Sequence, residues 1–331
     1  MRTPAPRLLP LVFLVLIGLL SGPVAASEDR PLGAILEPES PAPGIHYFRG
    51  SLENRTPENG GLNVNIGFVV TEEGVVLVGS GPSRDVARRI KAAIAKVTDR
   101  PITHVVNLGS QDHRWLGNEY FLDRGARIIT LRRTAETQSR FADEHLRRLE
   151  GHLGREAMEG TRPVQAPDPV DADRHAFEVG GVHFQLVHAG DAHFPGDAML
   201  RLPDRDVVFT GDVVYTDRLL GIHPWSDPLG QRAAFRTLES WEPEIVIPGH
   251  GSATDLDGAR RHTGDYLTFL VDGVQRGLEN WDSLDQVVER LSGESADPFR
   301  DLRHFEDWHR LNVNRTYLFL EQRMMDPPEN P

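Results

Sequence analysis

Residues 63–78 read Asn63-Val64-Asn65-Ile66-Gly67-Phe68-Val69-Val70-Thr71-Glu72-Glu73-Gly74-Val75-Val76-Leu77-Val78, two apolar, β-branched runs joined at Glu72-Glu73-Gly74. Such residues favour the pleated backbone, and a short polar break ending in glycine is hairpin chemistry. The chain thus opens with antiparallel β structure, to which Ile45-His46-Tyr47-Phe48 adds a strand. From Arg84 to Val97 the period changes. Val86, Ile90, Ala93, Ile94 and Val97 recur at three and four residues, which predicts an amphipathic helix with Pro101 beyond it as a stop. Thr103 to Asn107 then predicts a buried strand, Leu116 to Arg124 a helix, Ala126 to Leu131 a strand and Thr134 to about His152 a long helix.

The segment Gly160 to Asp173, rich in Pro and Asp, has loop chemistry and separates two halves. In the second half, Ala176 to Val179, Val182 to His188, Ala198 to Leu202 and Asp206 to Thr210 predict strands. Helix Gln231 to Ser240, strand Glu244 to Pro248 and helix Arg260 to Arg276 follow. A final helix, Phe305 to Gln322, offers Trp308, Leu311, Tyr317 and Leu320 to the core. Two β-then-α halves, packed sheet to sheet with helices outside, bury every apolar face, so the expected class is α/β.

Composition narrows the function. The 331 residues carry a formal net charge of -13 and no cysteine, which excludes disulfides and thiolate chemistry. The acidic balance disfavours a nucleic-acid surface, because a phosphate polyanion would meet its own sign. Of 36 basic residues all but Lys91 and Lys96 are arginine, a bias given no functional reading at this level. Arg2 and Arg7 precede the apolar run Leu8 to Leu20, followed by Val24-Ala25-Ala26-Ser27. That is a secretory signal pattern, and the run is too short for the roughly 20 residues of a membrane span. The expected organisation is a signal peptide over 1–26, a flexible lead over 27–44 and one domain over 45–325. The expected location is periplasmic or secreted, with no membrane span after cleavage.

Three places concentrate His and Asp beside Gly at strand ends, where a sheet can aim ligands from short loops. They are Asn107-Leu108-Gly109-Ser110-Gln111-Asp112-His113, then Gly190-Asp191-Ala192-His193-Phe194-Pro195-Gly196-Asp197 with Gly211-Asp212, and Pro248-Gly249-His250-Gly251. Without Cys, a metal here would be held by imidazole and carboxylate, which suit zinc, iron and manganese. Taken alone, Asp112 reads first as the N-cap of a helix that begins at His113, and Asp212 as a turn cap.

Together these motifs, in this order, with the hairpin at Asn65 to Val78, resemble the metallo-β-lactamase-fold hydrolases over residues 45 to 320. The resemblance implies a four-layer αβ/βα sandwich with a metal site at one sheet edge. The family's H-x-H-x-D-H motif is degenerate here. Ungapped, its ligand positions fall on Gly109, Gln111, His113 and Arg114; slid by one residue, on Leu108, Ser110, Asp112 and His113. Gly79-Ser80-Gly81 stands where the family has Asp-Thr-Gly. The slid register implies a reduced, mononuclear site held by Asp112, His113, Asp212 and His250, with His193 leaning across, and with Asp112 or Asp212 orienting the attacking water. One divalent metal, zinc first and iron or manganese otherwise, would bring that water's pKa from 15.7 toward about 7. The expected activity is hydrolysis of an ester, amide or thioester in a small molecule. The competing expectation is a non-catalytic binding or accessory protein of the same fold, and a third is an oxidoreductase that uses iron.

Overall fold

The computed structural model describes residues 30–326, so the expected signal peptide lies outside the described residues. One sheet runs in chain order: β1 (Glu39–Ala42), β2 (Ile45–Phe48), β3 (Ile66–Val70), β4 (Val75–Val78), β5 (Ile102–Val106) and β6 (Arg127–Ile129). It is antiparallel as far as β4 and parallel from β4 to β6. The second sheet is built from β7 (Arg174–Val179), β8 (Val182–Val187), β9 (Met199–Leu202), β10 (Val207–Phe209) and β11 (Ile245–Ile247), with only the β10/β11 pair parallel.

Strand periodicity explains the layering. In β4, Val76 and Val78 join Ile45, Tyr47, Val106, Phe184, Leu200 and Phe209 between the sheets. Val75 and Leu77 point the other way, against helices α2 (Arg84–Ile94) and α4 (Asn118–Leu122). A strand buried on both faces reads as a continuous apolar run, as β4 does. The outer face of the second sheet is covered by α6 (Pro228–Ser240), whose Ala234, Phe235 and Leu238 pack with Met199, Val208 and Val246. The result is the αβ/βα sandwich. Each fully buried Val, Leu, Ile or Phe contributes roughly 1.5–3 kcal/mol, so these three clusters carry the fold.

Local chemistry sets the helix ends. Ser83 caps α2 by accepting from the Val86 N–H at 3.3 Å, and Asp227 caps α6 by accepting from Gly230 at 2.8 Å with Pro228 in the first turn. The lead over 27–44 departs from the flexible expectation where it is described: it supplies α1 (Leu32–Ile35), with Leu32 and Ile35 buried, and strand β1. Helices α3 (Asp112–Trp115) and α5 (Arg132–Leu153) complete the first half.

Where one helix was expected from Arg260 to Arg276, the chain makes α7 (Leu256–Ala259), a π-helical turn at Arg260–Gly264 and α8 (Asp265–Glu279). The widened turn lets Thr263 reach the backbone of Tyr215, accepting from its N–H at 3.0 Å and donating to its carbonyl at 2.7 Å. Helices α9 (Leu284–Leu291), unread in the sequence, and α10 (Phe305–Met325) close the chain against α8. Tyr317 and Leu320 pack as core, Trp308 packs against that core while also lining a cavity, and Leu311 is exposed at the cavity's edge. No helix among the described residues is long and apolar enough to cross a membrane.

Candidate metal centre

The loops at the ends of β5, β10 and β11 converge at one edge of the sandwich. The 107–111 loop is held from below: Asn107 and Asn118 exchange side-chain hydrogen bonds of 3.1 and 2.7 Å, and Trp115 Nε1 donates to the Ser110 carbonyl at 2.8 Å. Asn65, at the start of β3, ties in the opposite loop by donating to the Pro248 and Gly251 carbonyls at 2.9 and 2.8 Å. Its own Oδ1 accepts from the Gly50 N–H at 3.0 Å. Gly211 turns with a φ of +53°, a conformation that favours glycine, and delivers Asp212. The Tyr215 ring stacks on His250 at 4.4 Å between centroids.

These anchors bring His113, Asp212 and His250 together, all buried, with ligand atoms within 4.8 Å of one another. His250 Nε2 lies 3.2 Å from Asp212 Oδ1, and His113 Nε2 is buried without a partner. Burial raises the price of charge on both imidazoles. It holds His113 well below the usual histidine range and His250 at about 4, so both are neutral at pH 7. Burial would push the Asp212 carboxyl up, but the Arg114 guanidinium and His250 outweigh it and hold the group well below the usual range. Two neutral imidazoles and one carboxylate are the protonation states in which these groups ligate metals.

Guanidinium groups surround the three donors. Arg114 Nε donates to Asp212 Oδ2 at 2.7 Å while its Nη2 binds Oδ1. Arg55 Nη2 lies 2.6 Å from both Asp112 Oδ1 and His113 Nδ1. Arg218 is 2% exposed, its Nη1 stands 3.4 Å from His250 Nδ1, and no carboxylate pairs with it among the described residues. His113 and His250 face a cavity of about 250 Å³, lined also by Asn63, His193, Arg218, His223, Trp308 and Arg315, with Asp212 buried behind them.

The expected site residues separate. The structure brings His113, Asp212 and His250 together, and His113 holds a ligand position in either register. Asp112 does not join them: its oxygens go to Arg55, to Arg148 at 2.8 Å and to the His113 N–H at 2.8 Å. Burial opposes its charge, yet Arg55 and Arg148 bring its carboxyl down to about 2. It is a structural anion, placed one residue inside the helix whose N-cap is Gln111. His193 lies across the cavity, its Nδ1 bonded to the Gly221 carbonyl at 2.7 Å and its ring 4.7 Å from that of His223. Arg55 and Arg218 were not singled out from the sequence, and Arg114 appeared there only as a ligand position of the ungapped register. The arginine bias was the available signal.

The donor set fits one divalent ion in kind and number: three ligands of the sort zinc takes, one an orphaned buried nitrogen, beside a cavity that leaves a further position open. Each of the three donors also meets a guanidinium: His113 that of Arg55, Asp212 that of Arg114 and His250 that of Arg218.

A family model of the metallo-beta-lactamase superfamily matches residues 112–250, the span from the first loop of the centre to the last. A curated relative, the linear primary-alkylsulfatase of Pseudomonas sp. (strain ATCC 19151), is 23% identical over 259 residues, covering 68% of this chain and 49% of its own. The chain thus spans about half the length of that relative. Among solved structures, a stereoselective inverting sec-alkylsulfatase from Pseudomonas sp. superposes with a TM-score of 0.67 at 16% identity, over 89% of this chain and 52% of its own. A metallo-beta-lactamase from Pontibacter korlensis superposes with a TM-score of 0.57 at 19% identity, over 70% of this chain and 98% of its own. The fold is thus the metallo-β-lactamase sandwich, and the span that holds all three donors, residues 112–250, matches the metallo-beta-lactamase superfamily.

Proposed function

We propose that this protein is an exported, metal-dependent hydrolase of small anionic esters, with sulfate monoesters as the first class to test. The observation that carries the reading is the buried cation beside the donors: Arg218 is 2% exposed, lines the cavity and has an Nε without a partner. A buried guanidinium without a carboxylate is costly unless a ligand supplies the anion. The alkylsulfatase relative agrees with that chemistry. Export rests on the signal pattern at residues 1–26.

One ion, zinc by ligand type, would be held by His113, Asp212 and His250 and would supply Lewis-acid polarisation and an acidified water. The chain does the rest. Arg218 anchors the ester's anionic group, with its charge braced over the Trp308 ring at 4.7 Å. His193 donates its Nδ1 proton to the Gly221 carbonyl, which leaves Nε2 as an acceptor, and burial keeps the ring neutral with a pKa near 4. Its Nε2 can therefore accept a hydrogen bond from water or substrate at pH 7. Asp212, held in its ionised form and 3.2 Å from His250 Nε2, is the anionic member of the donor set. Trp308 and Leu311 give the cavity an apolar side for the ester's carbon chain.

The test is turnover by the mature protein with added zinc, manganese or iron on short alkyl sulfates, carboxylic esters and a β-lactam. Sulfate release that is lost in Arg218→Met and His250→Ala supports the reading. Turnover of uncharged esters alone, undiminished in Arg218→Met, would overturn the anionic assignment. The competing reading, a binding protein without catalysis, is favoured by Arg114 on Asp212. Saturable sulfate binding with no turnover under any metal would establish it.

A further inference from the structure

Resting on the one-ion reading above, the contacts of Arg114 and Arg55 say how an ion would have to enter. A guanidinium only donates, so the lone pairs it meets are those a metal needs. Arg114 engages both oxygens of Asp212. Arg55 donates to His113 Nδ1, which places the proton of the neutral ring on Nε2, the nitrogen left without a partner. If Nε2 were to ligate, Nδ1 would have to carry that proton and face a donor, and Arg55 would have to withdraw.

The backbone makes room for this arrangement. A Cβ added at Gly249 would stand 2.6 Å from Arg114 Nη2 and 2.7 Å from Asp212 Oδ1. One at Gly109 would stand 3.2 Å from Arg114 Cδ and 2.8 Å from Asp197 Oδ1. In the ungapped register Gly109 and Arg114 are the first and last ligand positions of the family motif, so the arginine lies across the place where the missing ligand's side chain would be.

We propose that Arg114 and Arg55 are the resident cations of this centre, and that a divalent ion enters only by displacing them, which makes the site a low-affinity, exchangeable one. Arg148 stays on Asp112 when Arg55 leaves, so that carboxylate is never stranded.

The experiment is a zinc titration against a chromophoric chelator, paired with thermal melts in EDTA and in zinc. It uses the mature parent, Arg114→Gln, Arg114→Lys and Arg55→Gln. The parent is expected to melt at the same temperature in EDTA as untreated and to bind at most one zinc. Arg114→Gln is expected to bind zinc about tenfold tighter or more, since a positive charge and two competing hydrogen bonds are gone. Its melting temperature falls in EDTA and recovers in zinc. Arg114→Lys lies between it and the parent, and Arg55→Gln gains affinity without a second ion. A parent that is purified with a full zinc complement and loses stability in EDTA overturns the proposal. So does a parent that binds zinc as tightly as both glutamine variants, or variants that stay insoluble even in zinc. A parent that saturates with zinc and hydrolyses no ester sinks the hydrolase reading alone and leaves this ordering standing.

Discussion

The two halves of the sandwich bring unequal loops to the same edge. The second half offers Asp212 and His250 from glycine-flanked turns after β10 and β11, and Tyr215, Thr263 and Asn65 hold them in place. The first half offers His113 alone, and its Asp112 is buried between Arg55 and Arg148. Metal-donor geometry thus survives where backbone anchors aim the side chains, and it gives way to ion pairs where one short helix must do so. The consequence is a centre whose electrostatics are set by arginine on one side and by metal-type ligands on the other.

Breaking the contact that joins the halves should have the largest effect. Asp212→Ala strands a guanidinium that is itself 4% exposed, and a loss of about 3–5 kcal/mol is expected by chemical denaturation. The double variant Arg114→Met with Asp212→Leu should recover most of it, because two matched apolar groups replace a buried pair. A double variant as unstable as the single one would show that packing, not charge, is at stake.

Asn65→Ala comes next. It leaves two buried carbonyls and one N–H without their partner, and about 2–3 kcal/mol is expected, together with loss of the His250 position. Unchanged stability would mean that the second-half loop holds itself.

The first half should announce itself in acid. The Asp112 carboxyl is depressed to about 2 when folded, so its contribution is complete above the unfolded value near 3.9 and drains away as pH falls toward 2. That amounts to roughly 2 kcal/mol. Asp112→Asn should flatten the stability profile between pH 4 and 2, and a profile parallel to the parent's would count against the Arg55 and Arg148 pairing.

Arg218→Met is expected to shift stability least, raising it by about 0.5 kcal/mol, since it removes a buried charge that no carboxylate matches. It should abolish any rise in melting temperature caused by sulfate.

Most of the scaffold was legible because its strands are β-branched runs bounded by turn residues, as in β2, β3 and β4, and because α2 shows helical spacing. Strand β1, Glu-Ser-Pro-Ala, has neither signal and is made by pairing with β2. The π turn was invisible because its cause, Thr263 bonded to Tyr215, is a tertiary contact across 48 residues. The same reasoning divides the site. Glycine beside His or Asp marks a strand-end loop locally, so Asp212 and His250 stood out. An arginine's partner is set by the fold: Arg55 meets Asp112 across 57 residues and Arg114 meets Asp212 across 98. Leu311 carries core-like helical spacing, yet it sits exposed at the edge of the cavity that Trp308 lines from the core.

Asn65 has one more consequence, which concerns motion. The Asn65 N–H donates to the Gly249 carbonyl at 2.8 Å, and the side chain grips the same loop twice more, so one residue of the first sheet clamps the turn that bears His250. Local opening of that turn would have to release three hydrogen bonds at once. The turn should therefore exchange its amide protons with solvent as slowly as the strands around it, and the buried histidine it presents should be among the stiffest side chains of the centre.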